Sequence, residues 1–314
     1  MGDVQVVTSR EVPLGGPRAM TVRRTLPQRD RSLVGAWCFV DHYGPDDVAG
    51  SGGMDVPPHP HTGLATVSWL FSGEVEHRDS GGVHALVRPG ELNLMTAGSG
   101  VAHSEVSTPA TTVLHGVQLW IALPDTARHL PRTFVHHVPA RVLLDGAAVR
   151  VLLGRLAGDT SPVVTHTPLV AAEVVLDPGA TLVLDVEPAY EHGVLVDLGP
   201  VHLDGIELAR ADLGYRATGA ANLTLHNPGA EPARVLVLGG EPFTEPVLMW
   251  WNLVARTHEE IVALRADWEA RAARFGQVQG YVGSVQRIPA PPMPAIRLKP
   301  RLTPPGPGDR SAWG

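Results

Sequence analysis

The sequence predicts an all-β protein built from two similar halves, and three observations carry that expectation. Its 34 glycines and 29 prolines break the chain into short apolar runs, the pattern of many strands joined by tight turns. The first stretch, from Val4 to about Pro124, is followed by a second of the same style and similar length, as a duplicated module would give. Only one segment, late in the chain, has helical periodicity.

In the first half the strand candidates are ATVSWLF (65–71), HALV (84–87), ELNLM (91–95) and VLHGVQLWIAL (113–123). After a join around Leu123–Pro139 come VRVLLGRLAG (149–158), AAEVVLD (171–177), ATLVLDVE (180–187), HGVLVDLG (192–199), ANLTLHN (221–227) and ARVLVLGGEP (233–242). Thr257 and Glu260 then form a capping box. Ile261, Leu264, Trp268, Ala272 and Phe275 recur at helical spacing before Gly276, so a helix is expected over 257–275 with one face packed on a β-module. Residues 286–314 are proline-dense and read as an extended or polyproline II tail, either free or strapped onto the body.

Composition excludes several classes of function. With 25 basic and 32 acidic residues the net charge is −7, and no Lys/Arg run suggests a phosphate-tracking surface, so direct nucleic-acid binding is not expected. No window approaches the roughly eighteen consecutive apolar residues that cross a bilayer, so no membrane role is expected. The single cysteine, Cys38, reads as a small buried hydrophobe and rules out an internal disulfide. Together with an N-terminus lacking a targeting pattern, it points to the cytoplasm.

Fifteen histidines are many for this length, and their spacing matters more than their number. In PPHPHTG (57–63) His59 and His61 are two apart, and in AGSGVAHSEV (97–106) His103 and Glu105 repeat that spacing. On a strand, residues two apart share a face. Two such pairs on neighbouring strands of a barrel would converge as three imidazoles and one carboxylate, a donor set for a first-row transition metal such as iron. Taken alone, an H-x-H pair is more often solvated or hydrogen-bonded. The second pair shifts the balance toward metal, as do Gly63, Gly73, Gly90, Gly98 and Gly100 at strand ends.

Other groups read more simply. Glu74, Glu76, His77 and Asp79 in GEVEHRDSGG (73–82) read as a solvated hairpin. His136-His137 reads as surface, and Ser104 faces away from its neighbours and lacks a base. Gly98-Ser99-Gly100 lacks the third glycine of a dinucleotide fingerprint. Asp41, His42, Trp69 and Trp120 are equally readable as pocket lining or as core and turn.

Longer motifs carry a resemblance. VGAWCFVDHYGP (34–45), PPHPHTGLATVSWLFSGEVEHRDS (57–80), RPGELNLMTAGSGVAHSE (88–105) and LHGVQLWIALP (114–124) resemble the N-terminal cupin of the pirin family. EPFTEPVLMWWNLVARTHEEI (241–261) resembles its C-terminal domain. The resemblance implies a bicupin: two antiparallel β-barrels of the jelly-roll type, here a metal-binding cupin over 1–130 and a metal-free cupin with the helix over 131–285. By position the family's metal ligands fall on His59, His61, His103 and Glu105. The family implies Fe2+, with Mn, Ni, Co, Cu or Zn as alternatives. Many pirins carry a carboxylate where this chain has Ala65; that position is not one of the four family ligands, so the departure leaves the site intact but could alter the pocket. In the second half, EPAYEHGVLVDLGPVHLDG (187–205) has neither H-x-H nor H-x-E. Glu191 and His192, being adjacent, face opposite ways.

The activity implied is that of a quercetin 2,3-dioxygenase, an oxidoreductase cleaving a small aromatic, flavonol-like substrate with O2, with Glu105 acting as ligand and catalytic base. The alternatives are a non-enzymatic, iron-dependent regulator with a protein partner and a vestigial cupin with adventitious metal.

Overall fold

The computed structural model describes residues 3–14 and 20–301. Each half of the chain forms a seven-stranded and a four-stranded antiparallel sheet. In the first, Thr133–His137, Leu92–Thr96, Leu64–Ser72, Val113–Ala122, Trp37–Asp47, Thr21–Leu26 and Arg10–Pro13 lie side by side in that order. Asp55–His61, Val101–Ser107, Val75–Asp79 and His84–Val87 make the smaller sheet that completes the barrel. The second half repeats the plan around Glu191–Leu198, Ala233–Gly240 and Leu169–Leu176, with a four-stranded sheet that includes Thr181–Asp185 and Asn222–His226. The fold is the expected bicupin. One strand crosses between the halves: Gln5–Val7 pairs with Leu213–Arg216, so the start of the chain belongs to the second large sheet.

Strand alternation explains how one sheet serves two purposes. In Leu64–Ser72, Val67 and Trp69 join a core between the barrels that also holds Trp37, Leu119, Leu169, Leu195 and Leu238, while Ser68 turns inward to Glu105. Polar groups along this interface are matched across it. Trp69 Nε1 donates to Glu173 Oε2 at 2.8 Å, and the Gly35 amide donates to Glu191 Oε2 at 2.7 Å. Asp197, fully buried, lies 2.6 Å from Nε2 of both His42 and His115 and receives Arg234 Nε at 2.6 Å. Burial pushes this carboxyl up, yet the two histidines and Arg234 outweigh it and hold it far below its ordinary range. Such a charge is tolerable in a core only because it is fully partnered.

The barrels differ inside. Val149, Val151, Val174, Val194, Val196, Leu223, Leu225 and Val235 fill the second with aliphatic side chains, whereas the first keeps its histidines and a cavity.

The helix is shorter than its periodicity predicts, spanning His258–Glu269. Thr257 caps it as expected, accepting from the Glu260 amide, and Ile261, Leu264 and Trp268 are its buried face. It stops because Arg271 turns left-handed at φ 57. The turn folds Phe275 back edge-on against Trp268, with ring centroids 5.3 Å apart, so Phe275 is buried without being helical. The proline-dense segment is a strap as far as it is described. The Ile288 amide donates to Pro58 O at 2.9 Å, Trp268 Nε1 donates to Ile288 O at 2.9 Å, and Arg301 pairs with Val247 through two backbone hydrogen bonds. The rest of the expected tail, 302–314, lies outside the described residues.

Candidate metal centre

Neighbouring strands of the first barrel's small sheet bring the two sequence pairs together. His103 stands directly opposite His59, but Glu105 stands opposite Val56, because an extra residue on the Asp55–His61 strand shifts the register between them. That irregularity spans Pro57 and Pro58, which have no amide to contribute to a regular ladder. The imidazoles of His59, His61 and His103 are buried, with ring centroids 4.3 to 4.9 Å apart, and their donor nitrogens fall within 4.8 Å of one another. The shifted Glu105 carboxylate forms a second group of the same tightness with His103 and His77. It is buried beside Ser68, whose hydroxyl is 3.4 Å from Oε1 and 2.8 Å from Gln118 Oε1.

Hydrogen bonds set which nitrogen of each ring is bare. A carbonyl can only accept, so His59 Nδ1 donates to Pro57 O at 2.9 Å and His61 Nδ1 donates to Asn252 O at 3.0 Å. Both Nε2 atoms are left as lone pairs. On the far side, His103 Nδ1 is 3.5 Å from His77 Nδ1, and His77 Nε2 is 3.4 Å from Asp79 Oδ2. Asp79 Oδ1 in turn accepts the amides of Gly81 and Val83. With His77 donating to Asp79, it accepts from His103 Nδ1, and His103 Nε2 is also bare. His61 and His103 therefore oppose two lone pairs across 3.0 Å. That contact is repulsive in neutral, metal-free imidazoles and attractive around a cation, so the donor set fits a divalent transition metal.

Electrostatics point the same way. Burial pushes His59 down to about 4, and pushes His61 and His103 well below their ordinary value, so all three stay neutral and able to bind metal. Burial raises the Glu105 carboxyl, against His77, Ser68 and Gln118, which favour its ionised form.

A cavity of about 250 Å3 opens beside His59, His61 and Glu105. Its wall is an aromatic stack: Phe39 lies on Trp120 at 4.0 Å with planes 11° apart, and Trp120 meets His61 edge-on at 5.0 Å. Arg24 and Gln118 add polar groups, and Trp251, Asn252 and Ile288 enter from the C-terminal part of the chain. Trp251 turns at φ 54 between Leu248–Trp250 and Leu253–Ala255. The Val254 amide donates to Thr62 O at 3.1 Å, and a Cβ on Gly63 would lie 2.4 Å from Val254 O. Glycine there lets the hairpin come close enough to orient His61.

Residues 19–121 match the pirin family and residues 171–276 match the pirin C-terminal cupin domain. The chain belongs to the pirin family. It is 42% identical to a Pseudomonas aeruginosa protein provisionally named as a quercetin 2,3-dioxygenase, over 93% of this chain and 91% of that one. It is 37% identical to a pirin-like protein of Caulobacter vibrioides, over 79% of this chain and 88% of that one. A crystal structure titled quercetin 2,3-dioxygenase from Acinetobacter baumannii superposes with a TM-score of 0.88 at 38% identity, covering 94% of this chain and 97% of that one.

Within this pirin the site corrects part of the sequence reading. The expected hairpin forms, Val75–Asp79 pairing with His84–Val87, but His77 and Asp79 are not solvated: they are 3% and 5% exposed and stand behind His103. Only Glu74 and Glu76 face outward, bound by Arg88 and Arg78. The signal was present in the sequence, since Val75, His77 and Asp79 alternate with Glu76 and Arg78. Of the residues readable as pocket or core, Trp120 lines the cavity, Asp41 sits behind Arg24, and His42 and Trp69 face the second barrel. Ala65 packs in the core between the barrels and does not reach the cavity. His136 is at the surface, bonded to Glu91. Cys38 is fully buried, its thiol pushed up to about 12 by desolvation.

Proposed function

We propose that this pirin is a mononuclear metal dioxygenase of the quercetin 2,3-dioxygenase type, with Fe2+ held by His59, His61, His103 and Glu105. The opposed lone pairs of His61 and His103 at 3.0 Å, beside an aromatic-walled cavity, carry this reading. When bound, the metal would supply a Lewis acid for a flavonol oxygen and a redox path to dioxygen. Glu105 is placed to take the proton of the flavonol 3-hydroxyl, and burial, by raising its affinity for protons, makes it a better base than an exposed carboxylate. Ser68 and Gln118 hold that carboxylate in place, Trp120 and Phe39 give a flat surface for the ring system, and Trp251 and Ile288 restrict water. The second barrel, packed with aliphatic side chains, is assigned no metal; the metal cupin is taken as 1–130 and the metal-free cupin as 131–285, apart from the edge strands Gln5–Val7 and Thr133–His137, which each lie in the other barrel's large sheet. A cytoplasmic setting suits the lone thiol.

The test is to load the protein anaerobically with Fe2+, add quercetin and admit air. Oxygen uptake, loss of the flavonol absorbance and release of carbon monoxide are expected. Absence of turnover with iron, manganese, nickel and cobalt alike would favour the non-enzymatic, protein-binding alternative.

A further inference from the structure

Two rows of side chains cross the large sheet behind the cavity, and Arg24, Gln118, Phe39 and Trp120 of these rows line it. Arg24, Asp41, Gln118 and Ser68 are successive register partners on four adjacent strands. Phe39 and Trp120 form the row beside them. The polar row begins at Glu105, through Ser68 and Gln118, and ends at Arg24. With strands about 4.8 Å apart, Arg24 lies two strands, or roughly 10 Å, from Gln118. That distance suits the span of two rings.

Arg24 is locked in place. Its Nε and Nη2 each donate to an oxygen of the fully buried Asp41 at 2.7 Å, and its guanidinium carbon lies 4.3 Å from the Phe39 ring centre. This fork leaves Nη1 without a hydrogen bond among the described residues, on a side chain that lines the cavity and is 23% exposed. Burial pushes the Asp41 carboxyl up, against Arg24 and the more distant charge of Arg10, which favour its ionised form.

We propose that Arg24 binds an anionic oxygen on the cavity's ligand, a carboxylate or an ionised phenol, at the end of the aromatic wall opposite the histidines. The preferred substrate is then a planar aromatic that carries an acidic group about two rings from the hydroxyl facing Glu105. This deepens the dioxygenase reading and rests on it for the orientation of the ligand. Because the guanidinium is fixed before binding, little side-chain freedom is lost when the anion arrives.

The test compares 3-hydroxyflavone with derivatives bearing a 4′-carboxylate or a 4′-hydroxyl. Binding to the metal-loaded protein is followed by tryptophan fluorescence under nitrogen, and turnover is followed separately in air. The carboxylate is expected to bind about ten-fold more tightly than the parent. The phenol gains a similar factor only above the pH at which it ionises on the protein, which distinguishes the two anion sources. Arg24→Met should abolish the preference, so that the carboxylate binds no more tightly than the parent compound. Because that change strands Asp41, the pair Arg24→Met with Asp41→Asn is measured beside it. A preference that survives in both variants, or none in the wild type, overturns the proposal. If the preference is found and lost as expected but no compound is turned over, the anion site stands and the dioxygenase reading fails. Turnover without preference has the reverse meaning.

Discussion

Replacing His77 with phenylalanine separates two overlapping metal clusters, because His103 belongs to both. Its Nε2 faces His61 at 3.0 Å and its Nδ1 faces His77 at 3.5 Å. If the metal sits on the Nε2 side, His77 only orients the ring, and losing such a partner costs about 10- to 100-fold in affinity, or roughly 1.4 to 2.7 kcal/mol. Phenylalanine keeps most of the ring volume and its packing on Phe134, whose centroid is 4.8 Å away, so the fold should persist. His59→Ala instead removes one of four donors. If four-ligand sites bind their metal by roughly 10–16 kcal/mol, a quarter of that is about 3 kcal/mol, more than a hundred-fold. Titration of metal-free protein against a competing chelator, with melting temperatures as a folding control, should therefore rank His59→Ala as the more damaging change. The reverse order, with His59→Ala nearly silent, would place the metal among His77, His103 and Glu105 and refute the assignment.

Three further outcomes follow from buried groups. His59 in the metal-free protein is pushed down to about 4, below its unfolded value near 6.5. The unfolded chain thus binds the extra proton first, and stability, complete above about pH 6.5, should fall by about 3 kcal/mol as the pH drops to 4; urea titrations giving a flat profile over that range would contradict the burial of this ring. Asp197→Asn leaves Arg234, His42 and His115 without their anion between the barrels and should cost about 3–5 kcal/mol, whereas a loss under 1 kcal/mol in chemical denaturation would mean the cluster does not hold the barrels together. Gly63→Ala puts a Cβ 2.4 Å from Val254 O at φ +66 and should cost about 1–3 kcal/mol. Metal affinity should fall with it, since the displaced hairpin carries Asn252 away from His61, and an unchanged melting temperature would argue against the close approach.

The fold and all four proposed ligands were legible because they rest on local periodicity. Residues two apart share a face of a strand, so His59 with His61, and His103 with Glu105, could be paired from spacing alone. The same rule does not foresee the register shift opposite Glu105, because the irregularity at Pro57–Pro58 is a property of pairing between two strands. His77 and Asp79 were hidden by the charges around them, although their alternation with Glu76 and Arg78 was visible. Asn252, Trp251 and Ile288 reach the site from far along the chain, and no local pattern announces a contact that depends on how a strap and a hairpin dock. Likewise the helix ends at Glu269, where the packing of Phe275 on Trp268 overrides a periodicity that continues to Gly276.

Anomalous diffraction from crystals grown with Fe2+, recorded on both sides of the iron absorption edge, tests the metal assignment most directly. A single peak within bonding distance of Nε2 of His59, His61 and His103 and of the Glu105 carboxylate is expected. A peak on the His77 side of His103, or inside the second barrel, would contradict it.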